Sequence, residues 1–157
     1  MILDERLEFA DAAGGPVVNG ALNTGGAGTY LVGDVIDLEV ARDIGQGKAI
    51  WLVITVDTAV TSGGAGTYQF TLASDAQAAI ATDGTATVHI QTAAIPKATL
   101  IAGYVIFAGP LPSEGPVYER YLGILQTTAV AAATAGKINA FLTLDFAKWK
   151  AYADATN

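Results

Sequence analysis

A chain of 157 residues and 16.0 kDa has room for one compact domain, and at that length folding hides roughly 70% of the unfolded surface. The hydrophobic class makes up 52% and charged residues 15%, with a mean hydropathy of +0.41; this excludes a disordered chain or a charged coiled coil and leaves surface for a partner to cover. A net charge of −7 and a pI near 4.4 count against nucleic acid and anionic membranes as partners, because both are gripped by cationic side chains.

The first residues carry Asp4, Glu5, Arg6, Glu8 and Asp11, the wrong chemistry for a signal peptide. Residues 7–12 predict a first strand. Residues 12–33 hold few large apolar side chains and many glycines, which reads as a long glycine-rich loop or arm. Residues 34–40 then alternate, Ile36, Leu38 and Val40 on one face and Asp37 and Glu39 on the other, as a half-buried strand does. The stretch Gly45-Gln46-Gly47-Lys48-Ala49 has the look of a phosphate loop, but Ala49 replaces the hydroxyl residue such a loop needs and a strand follows; it reads as a turn.

Residues 50–56 are apolar on both faces, as is much of 100–108. Either these are central strands covered on their second face, or they present an outward face to another subunit. Residues 67–73 alternate cleanly, with Tyr68, Phe70 and Leu72 against Thr67, Gln69 and Thr71. Residues 75–81, rich in alanine, could make a helical turn or two. In 85–92, Ala86, Val88 and Ile90 point inward if Thr87, His89 and Gln91 point out. Residues 119–128 predict a late strand, and 137–146 end the set with Ile138, Ala140, Leu142, Leu144 and Phe146 in one row. The hexapeptide Gly25-Gly26-Ala27-Gly28-Thr29-Tyr30 recurs as Gly63-Gly64-Ala65-Gly66-Thr67-Tyr68, and each copy reads as a glycine loop feeding a strand that begins at Thr-Tyr.

The sum is an all-β, jelly-roll-like β-sandwich of about eight strands with little helix. Residues 1–157 form a single domain, with a short C-terminal tail over 146–157 that has Phe146, Trp149 and Ala153 on one helical side. The most apolar stretch, 100–112, is broken by Gly103, Gly109 and Pro110 and is too short to span a bilayer.

Chemistry is thinly provided for. There is no cysteine, hence no disulfide, thiolate nucleophile or zinc–cysteine site. His89 is the sole histidine, so a Ser-His-Asp triad would need it; on its own strand face it neighbours only Thr87 and Gln91, and it reads as an exposed or interface residue. Asp34, Asp37, Glu39 and Asp43 have no calcium-loop spacing and read as a solvated face. No catalytic, cofactor-binding or metal residue is assigned.

Several segments, taken together, resemble the capsid cement (decoration) proteins of short-tailed bacteriophages. They are Met1-Ile2-Leu3-Asp4 with Leu7, Phe9 and Asp11-Ala12; Ile36-Asp37-Leu38; Arg42-Asp43-Ile44-Gly45-Gln46-Gly47; Thr55-Val56-Asp57; Gly109-Pro110-Leu111-Pro112; Arg120-Tyr121-Leu122; and Leu142-Thr143-Leu144-Asp145. The likeness lies in their shared order and spacing. It implies a jelly-roll sandwich, not an enzyme, that binds the outer face of the capsid shell, bridges neighbouring major capsid subunits against internal DNA pressure, and assembles as a homo-oligomer, a dimer first and a trimer second. Such a protein is made in the host cytoplasm and ends on the virion. The loop over 12–33 and the tail Phe146-Ala147-Lys148-Trp149-Lys150-Ala151-Tyr152 depart from the pattern.

Contact candidates on this reading are the terminal segments and outward aromatics: Ile2, Leu3, Phe9, Phe141, Trp149 and Tyr152, because aromatics anchor interfaces. Phe141 stands out for lying on the polar side of its strand, between Asn139 and Thr143. The competing reading is a carbohydrate-binding or adhesin-like jelly roll in which Trp51, Trp149 or Tyr118 stacks on sugar.

Overall fold

The structure, a computed structural model, describes residues 5–11, 20–41, 44 and 47–144. After a 3-10 turn at Glu5–Leu7, the described residues form nine strands: β1 Glu8–Ala10, β2 Gly28–Asp37, β3 Trp51–Ser62, β4 Thr67–Asp75, β5 Thr87–Gln91, the two-residue β6 Ile95–Pro96, β7 Val105–Pro110, β8 Tyr121–Ala129 and β9 Ala133–Thr143. One sheet runs β1-β9-β3-β7 and the other β2-β8-β4-β5, with β6 also on β4. Setting β6 aside, the first strand pairs the last, the second the next to last, and so inward: β1·β9, β2·β8, β3·β7 and β4·β5, all antiparallel. That nested pairing, folded over two sheets, is a jelly roll.

Alternation along the strands builds the core. Leu52, Ile54 and Val56 of β3 and Ile138, Ala140 and Leu142 of β9 meet Tyr68, Phe70 and Leu72 of β4 and Leu122 and Ile124 of β8 in one buried cluster. Each of the larger aliphatic and phenyl side chains among them contributes about 1.5–3 kcal/mol when taken fully out of water. One polar residue joins them. Gln126 is fully buried and saturates its amide: Oε1 accepts the Asn23 N–H at 2.9 Å, and Nε2 donates to Asn23 O at 3.2 Å and to Thr128 Oγ1 at 2.8 Å.

The structure departs from the pattern-based expectations at five places. The second strand starts at Gly28, inside the stretch predicted as loop. Thr29-Tyr30-Leu31-Val32 are good strand formers, and Gly33, at φ +72, lets β2 run so close to β1 that a Cβ there would strike the Phe9 carbonyl. At the far end Glu39 takes φ 68, which stops the alternation and turns Val40 out to solvent. Residues 76–81 are not helical: the Asp75 carboxylate accepts the N–H groups of Gln77 at 3.0 Å and Ala81 at 2.9 Å, and Ile80 is drawn onto the outer face of the second sheet against Ala73 and Leu125. In β5 the register slips between Leu72↔Ile90 and Ala73↔Val88. His89 is the extra residue of a bulge, so Ile90 faces the core while Val88 lies exposed. Finally, β9 stops at Thr143 and Leu144 is exposed, one step short of the predicted row; Phe146 lies outside the described residues.

The two doubly apolar runs part company. β3 is central, between β9 and β7, and is buried on both faces within this one chain, Val53 being 0% exposed. The run over 100–108 ends in β7, an edge strand, and leaves Ile101 and Val105 in solvent.

Candidate functional site

The described residues between β2 and β3, between β4 and β5 and between β7 and β8 gather at one end of the sandwich. Arg120, just ahead of β8, donates from Nε and Nη2 to Oδ1 and Oδ2 of Asp37 at the end of β2, both at 2.9 Å. This is the two-pronged geometry that guanidinium and carboxylate share. Leu38 N–H adds a bond to the Arg120 carbonyl at 2.8 Å, and the guanidinium carbon lies 4.8 Å from the centre of the Tyr121 ring. The Arg120 bonds hold the Asp37 carboxyl down at about 2 and raise the guanidinium above its ordinary value. Both side chains are nearly half exposed.

Beneath that clasp lies a polar knot. Ser74, the last inward residue of β4, is 0% exposed. Its Oγ lies 2.8 Å from His89 Nε2 and accepts the Glu119 N–H at 3.1 Å. Thr87 Oγ1 donates to Glu119 Oε1 at 2.6 Å. The His89 ring stacks on Tyr118 with centroids 3.9 Å apart, and Tyr118 Oη donates to the Pro112 carbonyl at 2.9 Å. The Ser74 hydroxyl, one donor with two acceptor lone pairs, can satisfy the Glu119 N–H and the His89 ring nitrogen together, the direction of the bond to Nε2 following the ring's tautomer. Burial pushes the His89 pKa below 6.5, with the Glu119 charge opposing.

Serine, histidine and glutamate are triad residue types, but they are not arranged as one. A nucleophilic serine must meet substrate, and the acid must orient the far ring nitrogen. Ser74 has no surface, and the Glu119 carboxylate accepts instead from Thr87. The knot ties the loop over 111–120 to β4 and β5; that is its chemistry. It was missed in the sequence because the histidine's partners sit on other elements, 15 residues away for Ser74, and the bulge turns the ring to the side that simple alternation denied it.

Of the predicted contact residues, Ile2, Leu3, Trp149 and Tyr152 lie outside the described residues. Phe9 belongs to the chain's own core at 0% exposure, and Phe141 is 5% exposed, opposite Val53 on β3. Both rings are covered within their own domain, which corrects the expectation that they face a partner. Of the aromatics considered for sugar stacking, Tyr118 is buried and already covered by His89, Trp51 is half-buried, and Trp149 is outside the described residues. In the acidic set, Asp37 is committed to Arg120 and Asp34 Oδ1 accepts the Val35 N–H at 2.8 Å; Asp43 is not described. No group of three potential metal ligands occurs among the described residues.

Fold and site together define a jelly-roll sandwich whose one end is clasped by an ion pair and an internal polar knot. A family model named Bbp16 matches residues 12–142, and the chain belongs to the Bbp16 family. No curated protein matches it.

Proposed function

We propose that this chain is a structural virion protein, a cement protein that binds the outer surface of a phage capsid, bridges neighbouring major capsid subunits and works as a homo-oligomer without catalysis. The observation that carries the reading is where the resembling segments fall. Ile36-Asp37-Leu38 and Arg120-Tyr121-Leu122 pair directly, Ile36 with Leu122 and Asp37 with Tyr121. Gly109-Pro110 and Leu142-Thr143 flank the same two residues of β3, Leu52 and Trp51. Segments scattered along the sequence thus meet at one end of the sandwich, which supports reading them as parts of one unit.

The surface suits adhesion. Val40 and Val117 project from that end, more than half exposed. At about 25 cal/mol per Å2 of apolar area, a modest contact contributes several kcal/mol before association costs, and repetition over a shell multiplies the grip. The acidity discourages binding to the packaged DNA. The test is to add purified protein to heads assembled without it and sediment them. Stoichiometric binding with raised heat resistance supports the proposal; protein left in the supernatant refutes it.

A further inference from the structure

The outer face of the second sheet is laid out in rows across its strands. Thr29 of β2 stands beside Thr127 of β8 and Gln69 of β4. The next row is Leu31, Leu125, Thr71 and, on β5, Gln91. The segment over 76–86 lies on part of this face and forms a wall, held in place by the chain itself. Asp75 accepts the Ala81 N–H at 2.9 Å, and Asp83 Oδ1 accepts the Thr85 N–H at 3.0 Å. Ile80 is seated against Ala73 and Leu125, in room left by Gly123, where a Cβ would stand 2.6 Å from Ile80 Cδ1. Between wall and sheet opens a cleft of about 100 Å3, several times what one water needs. Thr29, Thr71, Thr127 and Gln91 line it with hydroxyls and an amide, Leu125 and Val88 with apolar surface. The polar groups position one another: Thr29 Oγ1 lies 3.0 Å from Thr127 Oγ1, and Gln91 Nε2 donates to Thr71 Oγ1 at 3.4 Å. A hydroxyl has one proton and two lone pairs and an amide has four bonding sites, so both pairs keep capacity for a guest.

We propose that this cleft binds one ring of a neutral saccharide. No charged side chain among the described residues lines it, so a phosphate, carboxylate or cation would lose its hydration with no counter-charge in return. A wholly apolar guest would strip water from the hydroxyls and leave them unpaired. A sugar ring answers both halves of the lining. Its neighbouring hydroxyls donate and accept at once, as the threonine pair and Gln91 do, and its C–H face can lie on Leu125 and on Val88, which is 48% exposed. A preformed wall spares the guest the cost of ordering the loop. The cleft is smaller than the roughly 300–1,000 Å3 of a drug-sized site, so it takes a single ring, with a Kd of about 1 mM. This inference goes beyond the shell reading and does not depend on it.

The test is a methyl NMR titration of the full chain with the methyl glycosides of glucose, galactose, mannose and N-acetylglucosamine. At least one should give saturable shifts centred on the methyl groups of Thr29, Thr71, Ala86 and Thr127, and the methyl glycoside of glucuronic acid, which adds a carboxylate, should bind more weakly. Thr127→Val with Gln91→Leu removes a hydroxyl and an amide at nearly constant shape and should weaken binding about ten-fold. The wild-type shift map reads the site even if that double variant does not fold. No saturable shift with any of the four neutral glycosides, shifts centred elsewhere, a glucuronide that binds equally well, or undiminished binding by the folded double variant overturns the inference. Sedimentation with capsids is a separate readout, so loss of sugar binding and loss of shell binding are told apart.

Discussion

The two ends of this sandwich are closed by opposite means. At one end the described residues after β2, between β4 and β5 and between β7 and β8 are held by side chains, above all carboxylates: Asp37 on Arg120, Asp75 on two amides, Asp83 on Thr85, Glu119 on Thr87. At the other end the loops over 63–66, 92–104 and 130–132 are held mostly by main chain and by room left where side chains are missing. Gly66 lies beneath Tyr68, whose Oη donates to the Ala131 carbonyl at 3.3 Å. Tyr30 Oη likewise folds back to donate to the Gly26 carbonyl at 3.2 Å. The echoed hexapeptides therefore share a local device, a tyrosine folded over its own glycine loop, and the strands they begin, β2 and β4, flank β8. One end should respond to pH and to deletion of polar atoms, the other to added bulk.

The largest effect is expected at the glycine end. In Gly66→Val the new Cβ would stand 2.5 Å from Tyr68 Oη and 2.7 Å from the Ala131 carbonyl oxygen. The backbone oxygen cannot swing aside, so urea unfolding should show a loss of about 3 kcal/mol, the upper part of the range for overpacking. At the carboxylate end Ser74→Ala strips the knot of its centre and leaves the Glu119 N–H and His89 Nε2 buried without that partner. A loss of about 2 kcal/mol is expected in the same assay, together with faster amide exchange across 112–119.

A pH titration of stability sharpens the contrast further. Because burial lowers the His89 pKa below 6.5, the folded chain binds fewer protons than the unfolded one between the two values. Stability is then complete above pH 6.5 and declines as pH falls through the folded value. His89→Gln should flatten that slope, whereas Asp37, held at about 2, should contribute no slope in the same window.

Much of this architecture was readable in advance. Tyr68, Phe70 and Leu72 declared their face through a period of two, and six of the other strands lay near their predicted places. What escaped was set by contacts between distant segments. The alanine-rich stretch after Asp75 has helical propensity, but the Asp75 carboxylate and the outer-face seat for Ile80 override it. β2 hid behind Gly33, whose missing side chain is needed because β1 passes close by. The knot could not be read at all, since Ser74, His89 and Glu119 meet only once β4, β5 and the loop before β8 are in place.

Two smaller tests remain for the ends themselves. Val130 sits at the tip of the β8–β9 hairpin with φ 70 and 77% exposure, bracketed by an Ala131 N–H to Ala129 carbonyl bond of 2.9 Å. A β-branched residue is strained there, so Val130→Asn should raise stability by about 0.5–1 kcal/mol, since asparagine tolerates this region better. The exposed Asp37–Arg120 clasp should matter least: Asp37→Asn is expected to leave the thermal midpoint unchanged, because solvent and salt screen such pairs.

The central claim is adhesion to a capsid without chemistry, and heat resistance of heads tests it most directly. Heads assembled without this chain should release DNA at a lower temperature than complete ones, and adding the purified protein back should restore the difference at saturating occupancy. Restoration should survive His89→Gln, which removes the histidine but leaves the surface intact. Heads equally heat-resistant with and without the protein would contradict the account.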